Sequence, residues 1–336
     1  MRTLALSDDI LMQVEKPARY IGNEINMVKK DWQKVDVRFC MCFPDVYEIG
    51  MSHLGIQILY DMFNQWEDTY CERVYSPWPD LDKILRDKKI PLFALESQQP
   101  IRDFDFLGIT IQYEMCYTNI LQILDLSEIP LLAKDRTWDV PLVIGGGPCT
   151  YNPEPIADFF DLFYIGEGET VYRDLLDVYK ESRKNGDSRR EFLKKAAAIE
   201  GIYVPSLYAV SYHPDGTIAS MKPLEEGVPS KVKKQVVKDL SHTYYPSKPL
   251  VPYIRVSNSD RDEKLGRFFD LRKVAANRPG RNTIAEGYLT RERAFLQYLL
   301  IRSRNSPADR CFGKRLLAEV GYFQRNFQFF IIQPDH

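Results

Sequence analysis

Apolar residues recur along this chain in two alternating rhythms. Lys34–Phe43 (KVDVRFCMCF) is a short apolar run rich in β-forming residues and predicts a strand. PDVYEIG follows as a loop, punctuated by Pro44 and Gly50. In Met51–Trp66, Leu54, Ile58, Leu59, Met62 and Phe63 fall at helical spacing, with Ser52 placed to cap the helix. CERVYSPW has no clear period. DLDKILRDKK predicts a second helix, and Asp103–Gln112 (DFDFLGITIQ) a second strand. YTNILQILDLSEI is helical again, with Ile120, Ile123, Leu124 and Leu126 on its apolar side. Pro141–Gly147 (PLVIGGG) is a buried strand that runs into glycines. PIADFFD, FYIGEGE and TVYRDLLDVYKESRK then repeat the order helix, strand, helix.

Near-continuous apolar strands alternating with helices argue for an α/β fold: a doubly wound parallel sheet, covered on both faces, over residues 34–184. Residues 1–33 precede it as an extended segment. Residues 185–254 form a small α+β appendage, a charged helix followed by a hairpin around Asp215-Gly216 (YAVSYHPDGTI). In such sheets ligands bind beyond the carboxyl ends of the strands, near the topological switch point. Four loops therefore qualify as site walls: Pro44–Gly50, Gln112–Cys116, Gly145–Thr150 and Gly166–Glu169.

Composition narrows the class only a little. The 336 residues are 44% hydrophobic and 27% charged, ordinary for a globular chain of about two domains. No apolar run is long enough to span a membrane, and the first twenty residues lack the apolar core of a signal peptide. With six cysteines and no export signal, reduced thiols in a cytoplasm are expected. The distribution of charge says more. Residues 1–254 hold 29 basic and 38 acidic side chains, and residues 255–336 hold 16 and 9. Lysines outnumber arginines 18 to 11 before Arg255, and arginines outnumber lysines 13 to 3 from there on. Such a tail reads either as a basic nucleic-acid-binding segment or as the product of a shifted frame or fusion.

No single motif settles the chemistry. Gly145-Gly146-Gly147 allows either close approach of backbone to a ligand or a tight turn into the next element. The string is not GxGxxG and no Gly-Lys-Ser/Thr follows, which disfavours a dinucleotide or nucleotide-triphosphate site. The GEGE at Gly166–Glu169 can surround a ligand with N–H groups and carboxylates, or simply start a helix with favourable acids. His53 is the one histidine in a predicted strand-to-helix loop, and a packing or capping role outweighs a ligand role for it. Cys40 and Cys42 alternate within a strand and face one way, a core pattern. No CxxC occurs anywhere in the chain.

The loops taken in order are more specific. KPARYIGNE, FPDVYEIGMSHLGIQILYDMFN, ERVYSPWPD, PLFALES, DFDFLGITIQYEMCYTNILQILDLSEIPLLAKDR and GGGPCTYNPEPIADFFDLFYIGEGE form a long succession over about residues 16–254. This succession resembles the N-terminal region of radical S-adenosylmethionine (radical SAM) proteins that begin with a cobalamin-binding-type domain. The resemblance implies a five-stranded, flavodoxin-like parallel sheet of the Rossmann type. It also implies that Pro44, Asp45, Tyr47, Gly50, Met51 and Ser52, with Gln112, Tyr113 and Glu114, face a corrin or its vestigial pocket. Gly145, Gly146, Gly147, Gly166, Glu167, Gly168 and Glu169 would complete that wall.

Two departures qualify the resemblance. Cobalamin domains that bind through a histidine carry DxHxxG, which is absent here, so a corrin is expected without a protein histidine on cobalt. In the family, the segment matching KPLVPYI leads to CxxxCxxC, whose thiolates hold an iron–sulfur cluster that cleaves S-adenosylmethionine to a 5′-deoxyadenosyl radical. Here Cys311 is the one cysteine after Ile254, so neither cluster nor S-adenosylmethionine is expected on this chain. The likeness ends where the arginines begin. The leading expectation is the cobalamin-binding-like domain of a radical SAM enzyme of unknown substrate, without its catalytic core. The competing expectation is a flavodoxin-like binding module with a basic, RNA-binding tail.

Overall fold

The computed structural model describes residues 6–237, 243–246, 248, 250 and 251, all within the first of two units, Met1–Asp260. Cys311 and the Arg-rich tail, with the expectations attached to them, lie outside the described residues.

Four strands found by their apolar pattern form the centre of the sheet: β1 (Val37–Phe43), β3 (Phe106–Thr110), β4 (Leu142–Gly146) and β5 (Leu162–Tyr164). With β2 (Thr69–Tyr75) and β6 (Ile202–Tyr203) the order is β2-β1-β3-β4-β5-β6. The first five are parallel, and β6 pairs antiparallel to β5. The fold is therefore α/β, with a doubly wound sheet of the flavodoxin type and one extra antiparallel edge.

Helices α3 (Leu54–Gln65) and α6 (Tyr172–Asn185) cover one face. There Phe39 stacks on Phe106 at 5.4 Å and meets the rings of Phe63 and Tyr172 edge-on at 4.9 and 6.0 Å. Right-handed crossovers send the chain to the opposite face when the strand order reverses after β2. Helices α4 (Pro79–Lys88) and α5 (Tyr117–Leu126) lie there side by side, joined by Arg86–Asp125 and Gln122–Asp82 contacts of 2.5 and 2.7 Å. Each large apolar side chain buried in these layers contributes about 1.5–3 kcal/mol. A short turn, α2 (Tyr47–Gly50), precedes α3, while α7 (Arg189–Ala197) follows α6 behind a Ser188/Glu191 capping box. The appendage hairpin is present as β7 (Tyr208–Tyr212) and β8 (Ile218–Pro223), turning at Asp215-Gly216.

The structure corrects several expectations. The stretch Thr69–Tyr75, which shows no clear period in the sequence, is a fully buried strand. Glu72 and Arg73 break its apolar pattern, and both are neutralised inside: Arg73 pairs with Glu96 and Glu24 at 2.7 and 2.8 Å, and Glu72 with Arg38 at 3.4 Å. This outer strand is also closed along its free side. The Arg73 N–H donates to the Glu96 carboxylate (2.7 Å), the Arg73 carbonyl accepts from Leu95 N–H (2.7 Å), and Ser97 N–H donates to Glu72 (2.9 Å).

Ser52 does not cap α3; His53 does. Glu154–Phe159 winds as a 3-10 helix instead of the α-helix expected. The described part of the N-terminal segment contains an α-helical turn, α1 (Asp8–Leu11), and 3-10 turns at Pro17–Arg19 and Trp32–Lys34. Further on it is tied down by Val28 N–H on Tyr60 Oη (2.9 Å) and by Lys30 Nζ on the carbonyls of Trp66 and Thr69 (2.7 Å each). At the amino end of the sheet Asp161 accepts from both Arg136 (3.0 Å) and Arg189 (2.9 Å), all three buried.

Candidate functional site

The chain leaves β1 for one face of the sheet and β3 for the other, and the crevice opens between their carboxyl ends. A cavity of about 160 Å³ lies there. Strand alternation turns Met41 of β1 and Gly108 and Thr110 of β3 toward it. Leu59 of α3 and Tyr172 of α6 close it from above. Tyr164 and Tyr172 stack at 4.6 Å, 10° from parallel, and give it a flat aromatic wall.

Glycines make the room. Gly146 has open space where a Cβ would stand, with only Tyr172 Oη near it at 3.9 Å. Gly147 adopts φ +94°, and a Cβ there would approach the Ile111 carbonyl to 2.8 Å. Gly166, at φ +122°, lies against the backbone of Gln235, to which it pairs as a parallel bridge. Gln235 N–H donates to Ile165 (2.9 Å), and its carbonyl accepts from Glu167 N–H (3.1 Å). The segment after the hairpin thus straps down the loop that follows β5.

Besides the hydroxyls of Tyr164 and Tyr172, the cavity is lined by the polar side chains of His53, Thr110, Gln112 and Glu169. The His53 ring sits 5.2 Å from that of Phe43, and its Nδ1 accepts from Ile56 N–H (3.3 Å), which caps α3. Gly55 leaves space for the ring to fold back, since a Cβ there would lie 3.0 Å from His53 Cε1. Gln112 is the side-chain hydrogen-bond partner of the imidazole and donates its Nε2 to Thr110 Oγ1 (2.5 Å). Burial holds the His53 pKa below the usual value, only partly offset by Gln112, so the ring is neutral near pH 7.

Of the residues read from the sequence, Gln112, Gly146, Gly147, Gly166, Gly168 and Glu169 line the cavity. The others build its surroundings. Asp45 accepts from Tyr113 Oη (2.5 Å) and Val46 N–H (2.7 Å), tying the loops after β1 and β3 together. That contact pushes the Tyr113 phenol up to about 12. The Pro44 carbonyl accepts from Asn119 (2.9 Å), and the Met51 carbonyl from Gln57 (2.9 Å). Tyr47 Oη donates to Glu24 (3.1 Å), and Gly50 packs under Phe43 and Tyr75. Ser52 and Glu114 are exposed. Gly145 turns to the other side of the sheet, against Phe163 and Phe160. The Glu167 carboxylate accepts from Val237 N–H (2.5 Å). Met41, Gly108, Thr110, Tyr164 and Tyr172 were not foreseen. A glycine inside the apolar run FLGITIQ is the one sequence signal for them.

An iron–sulfur cluster does not fit the described residues. Cys40 and Cys42 lie in β1, Cys71 in β2, Cys116 at the start of α5 and Cys149 after β4, all as free thiols and the first four buried. Burial pushes these thiols up, against the thiolate a cluster requires. Among the described residues no three His, Cys, Asp or Glu side chains converge as metal ligands. None of the described helices is long and apolar enough to cross a membrane.

Residues 55–205 match the family described as radical SAM proteins, N-terminal. The matched span thus resembles the N-terminal region of radical SAM proteins, as the succession of loops implied. The uncharacterized protein MJ0966 of Methanocaldococcus jannaschii is 29% identical over 130 residues, 38% of this chain and 23% of that protein. Among solved structures, the cobalamin-dependent S-adenosylmethionine radical enzyme OxsB, with aqua-cobalamin and S-adenosylmethionine bound, is similar at 15% identity and TM-score 0.35. That match covers 69% of this chain and 28% of OxsB. The radical S-adenosylmethionine methyltransferase TsrM of Kitasatospora setae is similar at 14% identity and TM-score 0.30, over 53% of this chain and 29% of that one. The chain therefore spans less than a third of the length of each of these relatives.

Proposed function

We propose that this unit is the ligand-holding N-terminal domain of a radical SAM protein and that its carboxyl edge takes a corrin, cobalamin being the expected form. The observation that carries the reading is the coincidence of the cavity with the switch point, where all of the lining except Met41 and His53 falls in the span that matches radical SAM N-terminal regions. Sites that enclose a drug-sized molecule measure about 300–1,000 Å³. A cavity of about 160 Å³ takes one planar arm of a corrin, and the macrocycle would lie over the rim. Ile49, Tyr113, Met115 and Tyr151 stand exposed there, on the loops after β1, β3 and β4.

In this reading Gly146 and Gly147 admit the arm, Tyr164 and Tyr172 shield it from water, and His53, Gln112 and Thr110 orient it. A bound corrin would supply a redox-active cobalt. The cluster and S-adenosylmethionine belong to a radical SAM core, whose CxxxCxxC this sequence does not contain. No radical step is derived for this chain.

Equilibrating the purified chain with hydroxocobalamin, desalting it and recording the visible spectrum tests the reading. Near-stoichiometric retention is expected. No retained corrin, together with salt-sensitive RNA binding, would favour the flavodoxin-like module with a basic tail.

A further inference from the structure

We propose that the strap formed by residues 231–237 is coupled to the carboxyl-edge cavity. A ligand held against the loop of residues 166–169 keeps the strap down, and the strap, when down, completes that wall. The proposal rests on the reading of the cavity as a ligand site, and it adds a means of regulating that site.

Gln235 is the point of attachment. Its backbone N–H donates to the Ile165 carbonyl (2.9 Å), and its carbonyl accepts from Glu167 N–H (3.1 Å). One residue of the strap thus holds the loop after β5 on both sides of Gly166, whose missing Cβ makes room for the Gln235 backbone. The Gln235 amide donates to the Glu200 carbonyl (2.8 Å), and Val237 N–H donates to the Glu167 carboxylate (2.5 Å). Lys234 reaches the loop after β4, its Nζ 5.9 Å from the centre of the Tyr151 ring.

Gly166, Gly168 and Glu169 line the cavity, whereas Gln235 and Val237 do not. The strap therefore acts on the cavity through the loop it holds. Lifting it unpairs the Ile165 carbonyl and Glu167 N–H and loosens the wall between them. A ligand that touches this wall binds the closed form more tightly than the open one and shifts the population toward closure. By linkage, opening the strap weakens the ligand by the same factor.

The strap is placed to open ahead of the sheet. Of residues 231–237, Val232 alone packs against the hydrophobic core, and Lys231 and Lys233 are exposed. A segment held mainly by hydrogen bonds, with little apolar burial, opens locally while the core stays folded. Further along, Tyr244 Oη donates to Asp61 of α3, the helix whose Leu59 roofs the same cavity. Occupancy of the cavity is in this way transmitted to the stretch through which the chain leaves the sheet.

Hydrogen exchange of the full chain, read by mass spectrometry with and without saturating hydroxocobalamin, tests this. With the corrin retained, peptides carrying Glu167, Gln235 and Val237 should exchange at least about ten-fold more slowly. The β7–β8 hairpin, which supplies no lining residue, should exchange as before. Retention without slowing of the strap overturns the coupling and leaves the ligand reading standing, and equal slowing of hairpin and strap also overturns the coupling. A chain that retains no corrin overturns both. Gln235→Pro removes the N–H that Ile165 accepts and alters no residue of the lining. Its affinity for hydroxocobalamin should fall by the factor by which the corrin slows the strap. Gln235→Ala keeps both backbone bonds and should stay near the parent. Protected amides in β1 and β3 show that Gln235→Pro is folded, and parent-like affinity in that folded variant overturns the proposal. If the variant does not fold, the exchange of the parent chain decides.

Discussion

Gly146 faces Tyr172 across the cavity, and a Cβ at residue 146 would have the Tyr172 hydroxyl 3.9 Å away and nothing nearer. The glycine is needed for the space it leaves and not for its backbone, which is that of an ordinary strand end. Gly146→Val should therefore fill the cavity and abolish retention of hydroxocobalamin. Stability should change by less than about 1 kcal/mol, as read by urea denaturation. A variant that still retains the corrin would separate the cavity from corrin binding.

Gly166 predicts the opposite pattern. Its φ of +122° and the Gln235 carbonyl oxygen 2.2 Å from an added Cβ leave no tolerance. Gly166→Ala should cost about 2 kcal/mol or more and lift the strap formed by residues 231–237. Trypsin should then cut at Lys233 or Lys234 faster than in the parent chain. Unchanged cleavage would show that the strap does not depend on this glycine.

Glu72 makes stability depend on pH. Burial, with Glu96 nearby, pushes its carboxyl from the ordinary 4.5 up to about 7, against smaller opposing effects of Ser97 and Arg38. The folded form binds this proton more tightly than the unfolded chain. Its contribution is thus fully present below about pH 4.5 and is lost as pH rises through 7. Acting alone, the shift corresponds to roughly 3 kcal/mol. Glu72→Gln should gain stability over the parent between about pH 5 and 8, with the gain growing toward the alkaline end. A difference that is flat with pH would refute the assignment.

Among the described residues, Asp161 is the single carboxylate paired with the buried guanidiniums of Arg136 and Arg189. It also accepts from Val143 N–H at 2.8 Å. Asp161→Ala leaves both cations without a counter-charge and should cost about 3–5 kcal/mol in urea denaturation. A loss below about 1 kcal/mol would mean that the surrounding carbonyls alone suffice for the two arginines.

How far the sequence carried can be judged from individual residues. The central strands were legible because Phe39, Phe106 and Leu142 sit in uninterrupted apolar runs, and a parallel sheet buries both of its faces. The edge strand β2 was not, because Glu72 and Arg73 look like surface residues until Glu96, Glu24 and Arg38 arrive from elsewhere in the chain. The glycine loops of the site were visible as turns. Their sidedness was not: Gly145 and Gly146 are neighbours in sequence and lie on opposite faces of the sheet. His53 was read as a capping or packing residue. It does cap the helix, and it also lines the cavity beside Gln112, a relation between distant loops that spacing along the chain does not encode.

The closure of β2 has a consequence for the life of the chain outside the folded sheet. An edge strand with free N–H and carbonyl groups is a template on which another molecule can lay a strand, the first step of domain swapping and fibril growth. Here the Glu96 carboxylate and the Leu95 amide occupy the outward-facing groups of Arg73. A second copy approaching this margin meets side chains already bonded to the backbone it would need. The buried charges of β2 thus act as a barrier to self-assembly, and the sheet ends there because its last hydrogen bonds are made within the same molecule.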